Sequence, residues 1–133
     1  MADELDDESY RALAAFRYEL RRFLHFSENA ARGAGLTPQQ HQALLAIRAA
    51  PGGEMLVGEL AERLLLRPHS ASELAARLEG QGLAMRQHDA ADRRQVHLRL
   101  TKEAMEILAS LTVAHRAELR RSGPLLHKLL EEL

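Results

Sequence analysis

The run Val57-Gly58-Glu59-Leu60-Ala61-Glu62-Arg63-Leu64-Leu65-Leu66-Arg67-Pro68-His69-Ser70-Ala71-Ser72-Glu73-Leu74-Ala75-Ala76-Arg77-Leu78-Glu79-Gly80-Gln81-Gly82 holds two short helical patterns separated by a turn. The first spans Val57 to Leu65. Leu66-Arg67-Pro68 interrupts it, and the second runs from His69 to Gln81 until Gly82 closes it. Leu74 and Leu78 stand one helical turn apart and face inward, which leaves the first turn of this helix polar. Two short helices joined by a tight turn form the core of a helix-turn-helix.

Downstream the period changes. Leu83 to His88 fits a strand, and Gln95-Val96-His97-Leu98-Arg99-Leu100 alternates polar and apolar residues without a fault. Asp89-Ala90-Ala91-Asp92-Arg93-Arg94 lies between them, so the pair predicts a β-hairpin with a charged tip. Upstream, Thr37-Pro38-Gln39-Gln40 starts a helix: Thr37 caps, Pro38 suits the first position and Gln40 reaches back. Pro51-Gly52-Gly53 stops that helix, and Met55-Leu56 is a short extended piece.

Long helices flank this centre. Tyr10, Leu13, Phe16, Leu20, Phe23 and Leu24 recur at three- and four-residue steps and predict a helix from Glu8 to Arg32, ended by Gly33 and Gly35. Thr101 caps a helix to about Arg121, roughly 30 Å long. Ser122-Gly123-Pro124 is expected to break it before a short last helix carrying Leu125, Leu126, Leu129, Leu130 and Leu133. The fold class is therefore mainly α with a small β-hairpin wing. The terminal helices exceed what so small a domain needs for its own core, and their spare apolar faces call for a partner chain.

The chain has 133 residues, 46% of them hydrophobic, enough for one domain with a real core. Three Phe, two Tyr and no Trp leave that core to aliphatic residues. The absence of Cys removes disulfides, thiolate metal sites and thiol chemistry, and fits a reducing compartment. No apolar run approaches the roughly 20 residues of a membrane span, and the acidic start, Met1 to Glu8, lacks the order of a signal peptide. A cytoplasmic protein is expected.

Net charge is only −1, so any basic footprint is local. Arg63 to Arg99 carries seven arginines against four acids, whereas Met1 to Ala30 carries seven acids against four arginines. That asymmetry marks a candidate anion-binding face.

The sequence resembles the MarR (multiple antibiotic resistance regulator) family of winged helix-turn-helix transcriptional regulators. The residues carrying the resemblance are Leu36-Thr37, Val57-Gly58-Glu59-Leu60-Ala61-Glu62-Arg63-Leu64, Arg77-Leu78-Glu79, Gly82-Leu83, Asp92-Arg93-Arg94 and Leu100-Thr101. It covers residues 36 to 104, and the Asp-Arg-Arg tip after Gly-Leu is its most diagnostic part. The flanking helices match in length and amphipathicity. Two departures stand out. Ala104 replaces a frequent Gly, and Glu73 sits where a basic or neutral residue is common.

The resemblance implies a single domain over residues 1–133, with a DNA-binding lobe at 36–100 and dimerisation helices at 8–32 and 101–133. Expected DNA-binding residues are Arg67, His69, Ser70, Ser72, Glu73, Arg77, Asp92, Arg93 and Arg94. His69 and Ser70 would meet bases or backbone in the major groove, and Glu73 would accept from a cytosine amino group or pair with Arg77. Ser70 and Ser72 also fit an ordinary exposed helix start. Arg94 would enter the minor groove with Asp92 holding its direction, and Arg93 would meet phosphate. The partner is double-stranded DNA with pseudo-palindromic half-sites, bound by a homodimer. A small aromatic or phenolic effector would sit near Phe26, His41, Leu45 and His115.

Rival readings are a winged-helix protein-interaction module and a metal-responsive regulator built on His25, His41 and His115. Against metal, the histidines lack ligand spacing, and His115 and His127 suit solvated or interfacial faces. No cofactor is expected. Catalytic motifs are missing, and surface acids fall at ion-pair spacing, as Glu59 does with Arg63.

Overall fold

A computed structural model describes residues 4–133; Met1 to Asp3 of the acidic start lie outside the described residues. The order is α1 (Asp7–Gly33), α2 (Pro38–Ala49), a 3-10 turn (Pro51–Gly53), β1 (Glu54–Leu56), α3 (Val57–Arg63), α4 (Pro68–Gly80), β2 (Ala84–His88), β3 (Val96–Leu100) and α5 (Lys102–Glu131). The hairpin takes in a third strand. β3 lies between β1 and β2, antiparallel to both, with Met55 opposite Leu98 and Arg86 opposite Leu98 on the other side.

Local chemistry sets the joints. The capping box at α2 is complete: the Thr37 hydroxyl accepts from the Gln40 amide at 3.1 Å, and Gln40 Oε1 accepts from the Thr37 amide at 3.0 Å. Gln40 Nε2 then donates to Gln81 Oε1 at 3.0 Å, which ties the start of α2 to the end of α4. Glu59 accepts from the Leu56 amide at 3.2 Å. It thus caps α3 and makes no ion pair with Arg63 among the described residues, contrary to the spacing argument, because the unpaired amides of a helix start compete for its carboxylate.

Thr101 works twice. Its hydroxyl accepts from the Ala104 amide at 3.2 Å and donates to the Gly82 carbonyl at 2.8 Å, so the start of α5 is fastened to the turn leaving α4. Gly82 has φ of +71°, a left-handed conformation that glycine adopts freely. Ala104 is fully buried, so its methyl is accommodated in the core.

The core gathers Ala31 from α1, Leu44 and Ile47 from α2, Leu60 from α3, Leu74 and Leu78 from α4, Leu98 and Leu100 from β3, and Leu108 and Leu111 from α5. The inward placement of Leu74 and Leu78 is as expected. Beyond this core α1 and α5 pack along one another.

One expected break is absent. α5 runs unbroken through Ser122-Gly123-Pro124 to Glu131, with no separate last helix. Pro124 removes one amide donor and disfavours a helix interior. Here Ser122 Oγ donates to the Glu118 carbonyl at 3.1 Å just before it, and Leu126 and Leu129 beyond it are part-buried and buried. Continued packing past the proline outweighs the local stop signal.

Candidate nucleic-acid interface

The helix-turn-helix is α3 and α4, joined by a turn in which Leu65 has φ of +55° and is 93% exposed. The turn closes through the Leu66 amide, which donates to the Ala61 carbonyl at 2.8 Å, and through the Leu65 amide to the Glu62 carbonyl at 3.3 Å. It delivers Pro68 to the first position of α4, and the exposed residues Arg67, His69, Ser70, Ser72 and Glu73 cluster at that helix start.

Glu73 does not pair with Arg77. Its Oε1 lies 3.0 Å from His69 Nε2, one turn back. Both residues project from one face of α4, and the shorter imidazole reaches the carboxylate directly. Arg67, Ser70, Ser72, Arg77 and Arg93 make no side-chain hydrogen bond or ion pair among the described residues, so their polar groups face solvent.

The wing tip is organised by two aspartates. Asp89 Oδ2 accepts from the backbone amides of Ala91 at 3.0 Å and Asp92 at 2.9 Å. Asp92 accepts from Arg94 Nε at 3.1 Å and Nη2 at 3.2 Å, and from its amide at 3.1 Å. The arginine hydrogen bonds hold the Asp92 carboxyl below its usual range, and the Asp92 amide does the same for Asp89, with His97 adding to it. Arg94 is thus aimed by a two-pronged carboxylate while its side chain stays 91% exposed. A groove of about 690 Å³ runs between the two parts, with Pro68 and Ser72 of α4 on one side and Arg86, Arg94 and Gln95 on the other.

A second recess, of about 440 Å³, lies between the lobe and the long helices. His41 and Leu45 from α2 and His115 from α5 line it. Phe26 does not; Phe23, one turn earlier on α1, lines it instead, while Phe26 packs edge-on against the His115 ring at 5.4 Å. His115 is half-buried against Phe23, Phe26 and His41, while His127 is exposed and sits 3.1 Å from Glu131. The His115 ring is 4.8 Å from that of His41. Its Nδ1 donates to the Leu111 carbonyl at 2.6 Å, which leaves Nε2 to accept from the Ser27 hydroxyl at 2.8 Å in the neutral ring. Burial, reinforced by His115, pushes the pKa of His41 down.

His25 is exposed and sits 3.5 Å from Asn29. The three histidines weighed for metal therefore do not converge, and among the described residues no three His, Asp or Glu side chains are placed to hold an ion.

Known proteins show the same construction. Residues 34–95 match the profile of the MarR family. Over this segment, just under half of its length, the chain is similar to the MarR family. The transcriptional regulator HosA of Escherichia coli O157:H7 is 39% identical over 75 residues, covering 56% of this chain and 54% of HosA. The chain spans about half the length of the curated relatives it matches. The crystal structure of AbsC, a MarR family transcriptional regulator from Streptomyces coelicolor, superposes with a TM-score of 0.75 at 24% identity, over 90% of this chain and 81% of AbsC. A MepR mutant from S. aureus bound to an oligodeoxyribonucleotide gives 0.70 at 19% identity, over 89% and 94%. At these identities the structural likeness is one of fold: a winged helix-turn-helix carried on long helices.

Several residues of this site have no motif in the sequence to mark them. Thr112, Arg116, Leu119 and Arg120 complete the 440 Å³ recess. Thr112, Arg116 and Arg120 follow one another at four-residue steps, and Leu119 stands four residues after His115, so helical periodicity places them on the same face. Glu54 and His97, which meet at 2.8 Å, had no such signal, because their meeting depends on the strand register.

Proposed function

We propose that the protein is a sequence-specific DNA-binding transcriptional regulator, a cytoplasmic homodimer that represses and is released by a small aromatic or phenolic anion. The observation carrying this reading is the groove shared by Ser72 of α4 and the aimed, exposed Arg94 of the wing. A helix start and a cationic tip bordering one cleft suit adjacent major and minor grooves of a duplex.

In this reading α4 enters the major groove with His69, Ser70 and Ser72 leading. The His69–Glu73 pair offsets the cost of a carboxylate near phosphate and leaves Glu73 able to accept from a cytosine amino group. Arg94 enters the minor groove under the control of Asp92, while Arg67, Arg77 and Arg93 meet phosphates. The domain is 1–133, with the lobe at 36–100 and dimerisation through 8–32 and 101–133. Leu13, Tyr18 and Leu24 on α1 and Val113, Leu125 and Leu130 on α5 stay largely exposed in one chain, which supports a second copy as their cover. No helix of the described residues is long and apolar enough to cross a membrane, and the regulator role places the protein with the chromosome in the cytoplasm.

The effector would occupy the recess at His41, Leu45 and His115, whose volume falls in the range of small-molecule sites. Arg116 and Arg120 at its rim favour an anion. Because the recess joins α2 to α5, an occupant would change how the lobes sit on the helices and so the spacing of the two α4 helices. A melting shift with phenolic acids that leaves DNA affinity unchanged would count against coupled sensing.

Fluorescence anisotropy tests the DNA reading, with the gene's own upstream DNA, a scrambled control, a salt series and Arg94→Ala. Preferential, salt-steep binding that weakens in the variant is expected. No binding at low salt by folded dimer would replace this reading with a protein-interaction module.

A further inference from the structure

We infer that His97 is the positioning residue of the wing: held between Glu54 of β1 and Asp89 of the wing loop, it sets the direction of Arg94 while its imidazole carries both protons. Its Nδ1 lies 2.8 Å from Glu54 Oε1, and its Nε2 lies 3.1 Å from Asp89 Oδ1. Carboxylate oxygens only accept, and a neutral imidazole has one N–H. Both contacts are favourable only for the imidazolium. In the neutral ring one nitrogen turns a lone pair toward a carboxylate.

The contact chain reaches the tip without a gap. Glu54 belongs to the edge strand leading into α3, and its other oxygen accepts from Arg99 Nη2 at 2.8 Å. From His97 the path passes to Asp89 Oδ1, through Asp89 Oδ2 to the amides of Ala91 and Asp92, and from the Asp92 carboxylate to the Arg94 guanidinium. The strand before the helix-turn-helix and the arginine of the wing are thereby joined through one half-buried side chain.

The other charged or titratable groups near His97 come from every neighbouring element. Arg99 on β3 neutralises part of Glu54. Glu59 of α3 lines the same recess as Glu54, His97 and Arg99. On β2, His88 Nδ1 donates to the Arg93 carbonyl at 2.8 Å, within the wing and away from the carboxylates. Asp92 faces Arg94. Two carboxylates and one guanidinium therefore meet His97 and its direct partners, and the cationic ring balances the set.

The consequence for DNA rests on the proposed function; the bracing of the wing does not. The test uses the full-length protein free and with DNA. In the free protein, imidazole nitrogen NMR follows His97 through its titration while exchange is read at the Ala91 and Asp92 amides. Protection at both amides is expected to fall on the order of tenfold as the ring loses its second proton, and to be low at every pH in His97→Gln and Asp89→Asn. Protection that stays level through the titration, or persists in folded His97→Gln, overturns the proposal. With the upstream DNA probe, the wild type is expected to lose more affinity than His97→Gln does across the pH range in which NMR shows the ring losing its second proton. Equal pH dependence in the two overturns the link to DNA, while absence of binding in both at low salt overturns the regulator reading and leaves the exchange result to decide the wing.

Discussion

The winged lobe and the long-helix frame treat their leucines in opposite ways. In the lobe Leu44, Ile47, Leu60, Leu78, Leu98 and Leu100 are wholly buried among α2, α3, α4 and the sheet. Along α1 and α5 the apolar spacing is as regular, yet Leu24 is 53% and Leu130 54% exposed. Periodicity is therefore equal evidence for a helix in both regions and unequal evidence for a core. Three helices and a sheet enclose a lobe from all sides, whereas two helices lying side by side cover one stripe each and leave the next exposed.

That contrast sets the largest expected effect. Leu78→Ala should lower the unfolding free energy by about 2–5 kcal/mol, read by urea denaturation, because it opens a cavity in an enclosed core. Leu24→Ala should act through association instead: its cost should grow with protein concentration, and sedimentation should show a weaker dimer. Equal, concentration-independent losses would erase the distinction between the regions.

On the lobe's polar side, Arg94→Ala should cost about 1–3 kcal/mol of DNA affinity and flatten the salt slope by about one. Arg116→Ala on the frame should leave DNA affinity within about twofold and weaken only the response to an anionic effector. A frame arginine that mattered as much as Arg94 would place the DNA surface elsewhere.

The seam between the regions carries a pH dependence. Burial and His115 depress His41, so the folded state binds fewer protons than the unfolded chain once pH falls below the ordinary histidine value of about 6.5. Stability should thus be complete above that value and decline as pH drops toward the depressed one. His41→Gln should flatten this decline in thermal melts; an unchanged profile would remove His41 as its cause.

The smallest effect lies in the turn of the helix-turn-helix. Leu65 holds a left-handed φ of +55° that glycine adopts without the steric cost of about 1–2 kcal/mol. After the greater chain entropy of glycine is subtracted, Leu65→Gly should raise stability by up to about 1 kcal/mol. A melt below wild type would mean that the 93% exposed side chain makes a contact in the dimer.

The lobe was legible because its signals are local: Thr37 with Gln40, Pro68 opening α4, Gly82 closing it, and the alternation from Gln95 to Leu100 each name a structure within a few residues. The wing pair of Asp92 and Arg94 is local in the same way, two positions apart. The frame was less legible. Ser122-Gly123-Pro124 reads as a stop, and only packing beyond it, at Leu126 and Leu129, carries α5 onward. Glu73 had two partners at helical spacing, His69 and Arg77, and spacing alone does not choose between them. The Glu54–His97 contact joins positions more than forty residues apart, so it appears only once β1 and β3 are in register.

Footprinting of the upstream DNA, with the chain-to-duplex ratio taken from sedimentation, addresses both regions at once. Two chains per duplex, protecting patches about one helical turn apart with Arg94-dependent protection of the minor groove, is the expected result. A single chain per duplex, or protection that Arg94→Ala leaves intact, would contradict a dimer that reads DNA through the wing and α4.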